Sequence, residues 1–265
     1  MRCAVVGSPI SHSLSPVMHR AAYAELGLDW TYEAREVRGG LAGVVAGLGD
    51  DVRGLSVTAP LKREAAALAA IRSQVVEHLG VANTLVRDGD EWSADNTDVP
   101  GLLSALSERG VVAPDAVRVL GGGATAASAV HALCTSGTRR VEVLVRDAAR
   151  AAEVIRVGQA SGAEVVVSSL DTAPAEPVDL LVSTIPSDAV EPMVDQWIAS
   201  SAAVFDVVYD PWPTVLAAAA YAQRLPLASG LDLLAHQAAL QVVAMTGEIV
   251  GVDVLRLAAL AALGQ

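Results

Sequence analysis

The segment Val117–Cys134 reads VRVLGGGATAASAVHALC and decides the fold of the second half of the chain. Its apolar run VRVL predicts a buried strand, its alanine-rich run predicts a helix, and a glycine-rich turn joins them. Gly121, Gly123 and Ala126 follow the spacing G-x-G-x-x-A, which is typical of dinucleotide binding when a strand precedes it and a helix follows. The glycines permit a tight turn, and the helix N-terminus binds the pyrophosphate through free N–H groups. An ordinary glycine-rich turn is the alternative interpretation.

Four more apolar runs follow that segment: VEVLVRD, EVVVSS, DLLVST and AAVFDVVYDP. Five short buried strands in series, with helices between them, predict a doubly wound unit. The segment TAPAEPVD is interpreted as a surface loop. Arg146 and Arg150 lie after the second strand and could clamp the 2′-phosphate of NADP, whereas Asp147 would suit the 2′-hydroxyl of NAD. These residues favour NADP and leave NAD open.

The first hundred residues have a different pattern. RCAVVG, WTYEAREV and GLSVT predict strands, and helices are expected near residues 16–26, 40–48 and after Lys62. ANTLVRDGDEW predicts a hairpin that turns at Asp88 and Gly89. After residue 229, GLDLLAHQAALQVVAMTG and VDVLRLAALAAL predict two closing helices. The chain is therefore an α/β protein with a boundary near Gly101.

Composition excludes several classes of protein. Among 265 residues, 30 acidic and 18 basic side chains give a formal net charge of −12, which disfavours nucleic acid as a partner. The sequence contains no run of about 20 apolar residues, so we expect no membrane span, and MRCAVVGSPISHS does not resemble a secretory signal. Cys3 and Cys134 are far apart, which argues against a disulfide framework or a zinc site and fits the cytoplasm.

Lys62 is the only lysine; the other 17 basic residues are arginines. Lysine carries a compact amine that can lose a proton, which arginine cannot do in proteins. The segment SVTAPLK places Thr58 and Lys62 after a strand, at the end where α/β sheets bind ligands. Lys62 is therefore a candidate acid–base group, with a solvated surface amine as the alternative.

Other polar residues cluster in the first domain. Ser11, Ser13 and Ser15 alternate before Pro16, so their hydroxyls could face one pocket, although Ser15 could simply cap the following helix.

ANTL and DNTD contribute further polar residues, namely Asn83, Asn96, Thr97 and Asp98, and an amide or carboxylate can bind vicinal hydroxyls. Asp95 is interpreted as a turn former. Gln237 lies in an apolar helical run and needs a partner if buried, whereas His236 and Gln241 are interpreted as ordinary helix residues.

These motifs together resemble the shikimate dehydrogenase family over essentially the full length. The family pattern G-x-P-x-x-H-S-x-S-P is met by GSPISHSLSP, N-V-T-x-P-x-K by SVTAPLK, G-A-x-N-T by GVANT, and D-N-T-D without change. YDPWPT and SGLDLLAHQA match the family's tail. Ser56 stands where many members have asparagine, outside the acid–base pair. GGGAT departs from G-A-G-G-A, while VRDAARA keeps the arginines of N-R-T-x-x-[RK]-A but has Val145 and Asp147.

The resemblance implies two α/β domains with a deep cleft between them: a discontinuous substrate-binding domain (1–100 plus 230–265) and a Rossmann-like dinucleotide-binding domain (101–229). It implies reversible reduction of 3-dehydroshikimate to shikimate with NADPH, a step toward aromatic amino acids. Lys62 and Asp98 are then the acid–base pair. The implied substrate contacts are Ser13, Ser15, Thr58, Asn83, Tyr209 and Gln237, and the implied cofactor contacts are Gly121, Gly122, Gly123, Ala124, Thr125, Arg146, Arg150, Ile185 and Gly230.

Two alternatives stay open. Asp147 motivates an NAD-dependent quinate/shikimate dehydrogenase of the same family. A catalytically silent dinucleotide-binding regulator is a second alternative, against which Lys62 and Asp98 argue, because a sensor needs no acid–base pair. We expect a small-molecule substrate, no metal, and a monomer or homodimer.

Overall fold

The computed structural model describes residues 1–264 and divides into two compact units. The first unit is Met1–Asp98 together with the chain from Ala235 onward, and the second is Val99–Leu234. These divisions lie a few residues from the boundaries expected at 101 and 230, and they fall inside helices. The α/β class predicted from the sequence is confirmed, because each unit contains a six-stranded sheet with helices.

The strands of the first unit form one mixed sheet in the order β2-β1-β3-β5-β6-β4. They are β1 (Arg2–Gly7), β2 (Thr31–Glu36), β3 (Val52–Val57), β4 (Ile71–Arg72), β5 (Thr84–Asp88) and β6 (Glu91–Asp95). The β5–β6 hairpin is confirmed, and Gly89 in its turn has a φ of +60°, which glycine adopts without steric cost. The two-residue strand β4 was not predicted from the sequence.

The strands of the second unit are all parallel, in the order β12-β11-β10-β7-β8-β9. They are β7 (Ala116–Leu120), β8 (Arg140–Val145), β9 (Glu164–Ser169), β10 (Leu180–Ser183), β11 (Val204–Asp206) and β12 (Leu227–Ser229). The prediction that EVVVSS is a buried strand is wrong in its burial: β9 is an edge strand, and Val166 is half exposed. The three-residue strand β12 was not predicted from the sequence.

Residues 1–264 contain twelve α-helices, of which the last two follow the final strand. They are α1 (Ser15–Glu25), α2 (Leu41–Ala46), α3 (Lys62–Leu68), α4 (Gln74–Leu79), α5 (Asp98–Glu108), α6 (Ala124–Ser136), α7 (Ala152–Ala160), α8 (Ser187–Val190), α9 (Val194–Ala199), α10 (Val215–Ala222), α11 (Gly230–Thr246) and α12 (Val252–Leu263). Short 3₁₀ helices span Ala148–Ala151 and Glu191–Met193. No helix among residues 1–264 combines the length and the apolar character needed to cross a membrane.

The central strands of the first sheet are buried on both faces. Along β1, Ala4 and Val6 belong to one apolar cluster, while Cys3 and Val5 belong to another, as the alternation of side chains along a strand requires. Met245 of α11 joins the second cluster. This close packing brings α11 against the strands that position the polar residues described next.

Candidate active site

The polar residues of the first unit meet at one edge of its sheet because of strand direction. β3 and β6 each pair antiparallel with β5, so β3 and β6 run the same way and end at the same edge, where β5 begins. Thr58 and Lys62 follow β3, Asp98 follows β6, and Asn83 immediately precedes β5. The topology therefore brings together residues from several motifs, of which Thr58 and Asp98 are 40 positions apart in the sequence.

Lys62 and Asp98 form a close ion pair. Lys62 Nζ lies 2.6 Å from Asp98 Oδ2, and the two side chains are only 18% and 15% exposed. Each is the first residue of its helix, α3 and α5 respectively. The surface-amine interpretation of Lys62 is therefore wrong: the amine is held at a defined place beside a carboxylate.

Asn83 holds the second oxygen of this carboxylate. Its Nδ2 donates to Asp98 Oδ1 at 2.8 Å and approaches Gln237 Oε1 at 3.3 Å, while its Oδ1 accepts from the Thr97 backbone N–H at 2.8 Å. The Asn83 side chain is almost completely buried. Lys62, Asp98, Asn83 and Gln237 are thus in direct contact, with Gln237 contributed by α11.

Ser13 and Ser15 lie at the start of α1. Leu14 is the N-cap residue and Ser15 is the first residue of α1, so the alternative in which Ser15 caps the helix is wrong. Ser13 Oγ accepts from the Ser15 backbone N–H at 3.3 Å, and Ser15 is buried. Thr58 directly follows β3 and is partly buried. Asp95 is the last residue of β6, and its carboxylate accepts from the adjacent Asn96 N–H at 2.7 Å. The turn before α5 is made by Asn96 instead, whose Oδ1 accepts from the Asp98 N–H at 3.1 Å.

A second polar network, which was not predicted from the sequence, lies behind this site. Tyr32 donates to Ser56 Oγ at 2.5 Å, and Ser56 donates to Gln241 Oε1 at 2.7 Å. Gln241 is 1% exposed, so its interpretation as an ordinary helix residue is wrong. The only signal in the sequence was a polar residue in an apolar helical run, one turn after Gln237.

Burial controls the protonation of this network. His19 stacks on Tyr32, with 4.1 Å between the ring centroids. Desolvation lowers the pKa of His19 from 6.5 to about 3, and a hydrogen bond to Gln241 opposes this shift. Desolvation also raises the pKa of Tyr32, although hydrogen bonds with Ser56 and Ser15 oppose it. Both side chains are therefore neutral near pH 7.

The glycine-rich turn of the second unit is shaped to let a ligand approach its backbone. Gly121 has a φ of +110°, and a Cβ there would lie 2.3 Å from Thr184 Oγ1. A Cβ on Gly122 would lie 2.3 Å from the carbonyl oxygen of Arg150, whereas a Cβ on Gly123 would meet nothing within 4 Å. Gly123 is the N-cap residue of α6, and no side chain caps that helix.

This turn fits the diphosphate of a dinucleotide. The N–H groups at the start of α6, which includes Ala124 and Thr125, have no capping side chain, and a helix N-terminus favours an anion. The open side of Gly123 leaves room for the ligand. Ile185 lies beside Gly121, since its Cγ2 would be 3.0 Å from a Cβ at that position.

The charged residues around the expected ribose site are all exposed. Asp147 caps the 3₁₀ helix Ala148–Ala151, and its Oδ1 accepts from the Ala149 N–H at 3.0 Å. This capping bond uses only one of the two carboxylate oxygens. The guanidinium groups of Arg146 and Arg150 can bind a phosphate there.

Two further predicted residues lie in the second unit. Tyr209 is in the loop after β11, and burial raises the pKa of its hydroxyl. Gly230 begins α11, where a Cβ would lie only 1.9 Å from the carbonyl oxygen of Val207, so no larger residue fits. Among residues 1–264, no group of three or more His, Cys, Asp or Glu side chains is arranged to hold a metal ion.

Comparison with known proteins gives a consistent result. Residues 5–85 match the family model described as the shikimate dehydrogenase substrate binding domain. A protein of Geobacter metallireducens named shikimate dehydrogenase (NADP(+)) is 34% identical, covering 98% of this chain and 96% of its own length. A similarly named protein of Citrifermentans bemidjiense is 38% identical and covers 88% of this chain and 85% of its own.

Solved structures agree with those relatives. The crystal structure of Mycobacterium tuberculosis shikimate dehydrogenase has a TM-score of 0.90 and 38% identity, covering 98% of this chain and 99% of its own. That of Thermus thermophilus shikimate 5-dehydrogenase in complex with NADP(H) and shikimate has a TM-score of 0.84 and 30% identity, covering 99% of each chain. Motifs, fold and relatives agree over nearly the whole length, and this chain therefore belongs to the shikimate dehydrogenase family.

Proposed function

We propose that this protein catalyses the reversible reduction of 3-dehydroshikimate to shikimate with NADPH. The observation that carries the proposal is the ion pair between Lys62, the only lysine of the chain, and Asp98, whose atoms Nζ and Oδ2 are 2.6 Å apart. A partly buried amine held by a carboxylate suits proton transfer to a substrate oxygen. Membership of the family names the substrate.

In the proposed reaction, a proton must reach the C3 carbonyl oxygen as the carbonyl carbon is reduced. NADPH supplies the hydride for that carbon when bound. Lys62 donates the proton from Nζ, and Asp98 orients the amine and shares its charge. In the oxidation of shikimate the same amine takes the proton from the C3 hydroxyl. Such acid–base catalysis is worth about 10²–10⁴-fold in rate.

The substrate is held by hydroxyl and amide groups at the same sheet edge. Ser13 and Ser15 bind the shikimate carboxylate, a role that matches the family motif they occupy. Thr58, Asn83 and Gln237 bind the ring hydroxyls, and Asn83 Nδ2 already lies 2.8 Å from Asp98 Oδ1. These contacts act mainly by orienting the substrate relative to Lys62. Tyr209 is proposed as a further substrate contact on the family motif alone.

The second unit is proposed as the NADP-binding domain, and the first as the substrate-binding domain. Gly121, Gly122, Gly123, Ala124 and Thr125 hold the diphosphate, and Ile185 and Gly230 contact the cofactor. Arg146 and Arg150 clamp the 2′-phosphate. Two exposed guanidinium groups at this place support NADP over NAD, because arginine accommodates the 2′-phosphate.

We also propose a cytoplasmic protein that is a monomer or a homodimer. Both cysteines, Cys3 and Cys134, are free and buried, which suits a reducing compartment. Size-exclusion chromatography with light scattering distinguishes the two assembly states.

Shikimate oxidation by the purified protein tests the proposed function directly. Nicotinamide absorbance is followed with NADP⁺ and NAD⁺ in parallel, and quinate is the second substrate. We expect the largest kcat/KM with shikimate and NADP⁺. A larger value with NAD⁺ would instead support the quinate/shikimate alternative, and cofactor binding without turnover would support the silent regulator.

A further inference from the structure

Gln241 is the most extensively bonded side chain of the network behind the site. It is 1% exposed and lies on α11 one helical turn beyond Gln237. Its Oε1 accepts from Ser56 Oγ at 2.7 Å and lies 3.4 Å from His19 Nε2. Its Nε2 donates to the Asn83 carbonyl oxygen and to Thr84 Oγ1, both at 3.0 Å. A buried amide with partners on both ends is fixed in one orientation.

The direction of these hydrogen bonds is determined by chemistry. A backbone carbonyl can only accept, so the amide nitrogen of Gln241 must face the oxygen of Asn83, and Oε1 must face Ser56. Tyr32 then donates to Ser56 at 2.5 Å. One end of the network is thus the buried Tyr32 hydroxyl on β2.

The other end of the network sets the orientation of Asn83. Thr84 Oγ1 accepts from Gln241, so its hydroxyl proton is free to bond Asn83 Oδ1 at 2.8 Å. With Oδ1 also accepting from the Thr97 N–H, the Asn83 nitrogen must point toward Asp98 Oδ1. Lys62 occupies the remaining oxygen of Asp98.

We infer that Gln241 is a positioning residue of the proposed reaction: together with Ser56 it supplies, from α11, the amide that orients Asn83 and through it the Asp98 carboxylate. Many family members have asparagine at the position of Ser56. The hydroxyl of Ser56 alone cannot replace the side-chain amide of that asparagine. In this protein the Gln241 side chain brings an amide to the same place, with its Oε1 2.7 Å from Ser56 Oγ. The inference rests on the proposed function, because it assigns Gln241 to the same reaction.

The first test replaces Gln241 by methionine, which preserves volume but removes both hydrogen-bonding groups. We expect kcat/KM for shikimate to fall about 10- to 100-fold, because a small misplacement of catalytic groups causes losses of that size. The Kd of NADPH, measured by nucleotide fluorescence, should stay unchanged. Leu240→Ala is the matched control, because Leu240 lies next to Gln241 on α11 but is 37% exposed; it should retain wild-type kcat/KM.

The second test asks whether an asparagine on β3 restores the missing amide. Gln241→Ala should lose activity, and Ser56→Asn alone should also lose activity because Tyr32 and Gln241 crowd the Ser56 hydroxyl at 2.5 and 2.7 Å. The double variant Ser56→Asn/Gln241→Ala should be more active than either single variant. Recovery of this kind is not expected from general destabilisation.

The inference is overturned if Gln241→Met, corrected for its folded fraction by circular dichroism, keeps wild-type kcat/KM. It is also overturned if the double variant shows only the product of the two single losses. If Gln241→Ala fails to fold, a folded and active double variant still supports the inference, and an unfolded or inactive one overturns it. An inactive wild-type protein would instead contradict the proposed function itself.

Discussion

Lys62 is the residue on which the proposed chemistry depends, because no other side-chain amine exists in the chain. Replacing Lys62 by methionine keeps much of the volume and removes the proton donor. We expect kcat for shikimate oxidation to fall about 10²–10⁴-fold, with a much smaller change in the shikimate KM, since the amine acts mainly in the transition state. Initial rates at saturating NADP⁺ measure both constants.

Lys62→Arg is the control for charge, because it keeps a cation near Asp98 but cannot release a proton readily. It should therefore be nearly as inactive as Lys62→Met. A large rise in KM with kcat intact in either variant would assign Lys62 to substrate binding instead.

A second prediction for a single residue concerns Asp147. Asp147→Asn keeps a side-chain oxygen that can cap the Ala149 N–H and removes the negative charge beside Arg146 and Arg150. We expect the KM for NADP⁺ to fall several-fold, because Asp147 would no longer repel the 2′-phosphate. The interaction of a charge pair near the surface is worth up to about 1 kcal/mol. The KM for NAD⁺ should change little; a marked rise in it would place Asp147 on the ribose.

Single residues also show how far the sequence could be interpreted. Lys62, Asp98, Asn83 and Gln237 were identifiable because each lies in a short motif. The role of Gln241 was not, because its partners Ser56 and Asn83 are 185 and 158 positions away in sequence. Periodicity and motif spacing describe neighbours along the chain and carry no information on such a pairing.

At the scale of elements, the glycine-rich turn packs against the 3₁₀ helix Ala148–Ala151 through Gly122. A Cβ at Gly122 would lie 2.3 Å from the Arg150 carbonyl oxygen, and neither backbone can yield without moving the turn or that helix. We expect Gly122→Ala to destabilise the ligand-free protein by about 1–3 kcal/mol, the usual cost of overpacking. Thermal and urea unfolding without cofactor measure the change.

Gly123→Ala is the matched control, since a Cβ there meets nothing within 4 Å and its φ of −84° suits any residue. It should leave the stability of the ligand-free protein nearly unchanged. Equal losses in the two variants would contradict the packing of the turn against the 3₁₀ helix.

Element length and neighbours explain which strands the sequence predicted. β7, β8 and β10 were predicted because their buried apolar residues stand close together in the sequence. β4 and β12 contain two and three residues, too few to show a period. β11 also has three residues, but it lies within the longer apolar stretch AAVFDVV. β9 has the same apolar composition as a central strand, and only the sheet order reveals that it lies at the edge.

At the scale of the whole molecule, stability should depend on pH through His19 of the first unit. Burial lowers the His19 pKa from 6.5 to about 3, so between these values the unfolded chain binds a proton that the folded chain does not. The stabilisation is therefore complete above about pH 6.5 and decreases as the pH falls toward 3. Between pH 7 and 5 we expect the free energy of unfolding to drop by about 2 kcal/mol from this group.

His19→Phe isolates the contribution, because phenylalanine keeps the ring that stacks on Tyr32 and cannot be protonated. Asp206 titrates in both proteins: burial raises the pKa of its carboxyl, which favours the folded state as the pH falls and so opposes the effect of His19. Urea unfolding at pH 7, 6 and 5 should show a steeper loss of stability on acidification in the wild-type protein than in His19→Phe. Parallel pH curves for the two proteins would mean that His19 is protonated in the folded state. Such a result would contradict the assignment of His19 as a buried neutral imidazole next to Gln241.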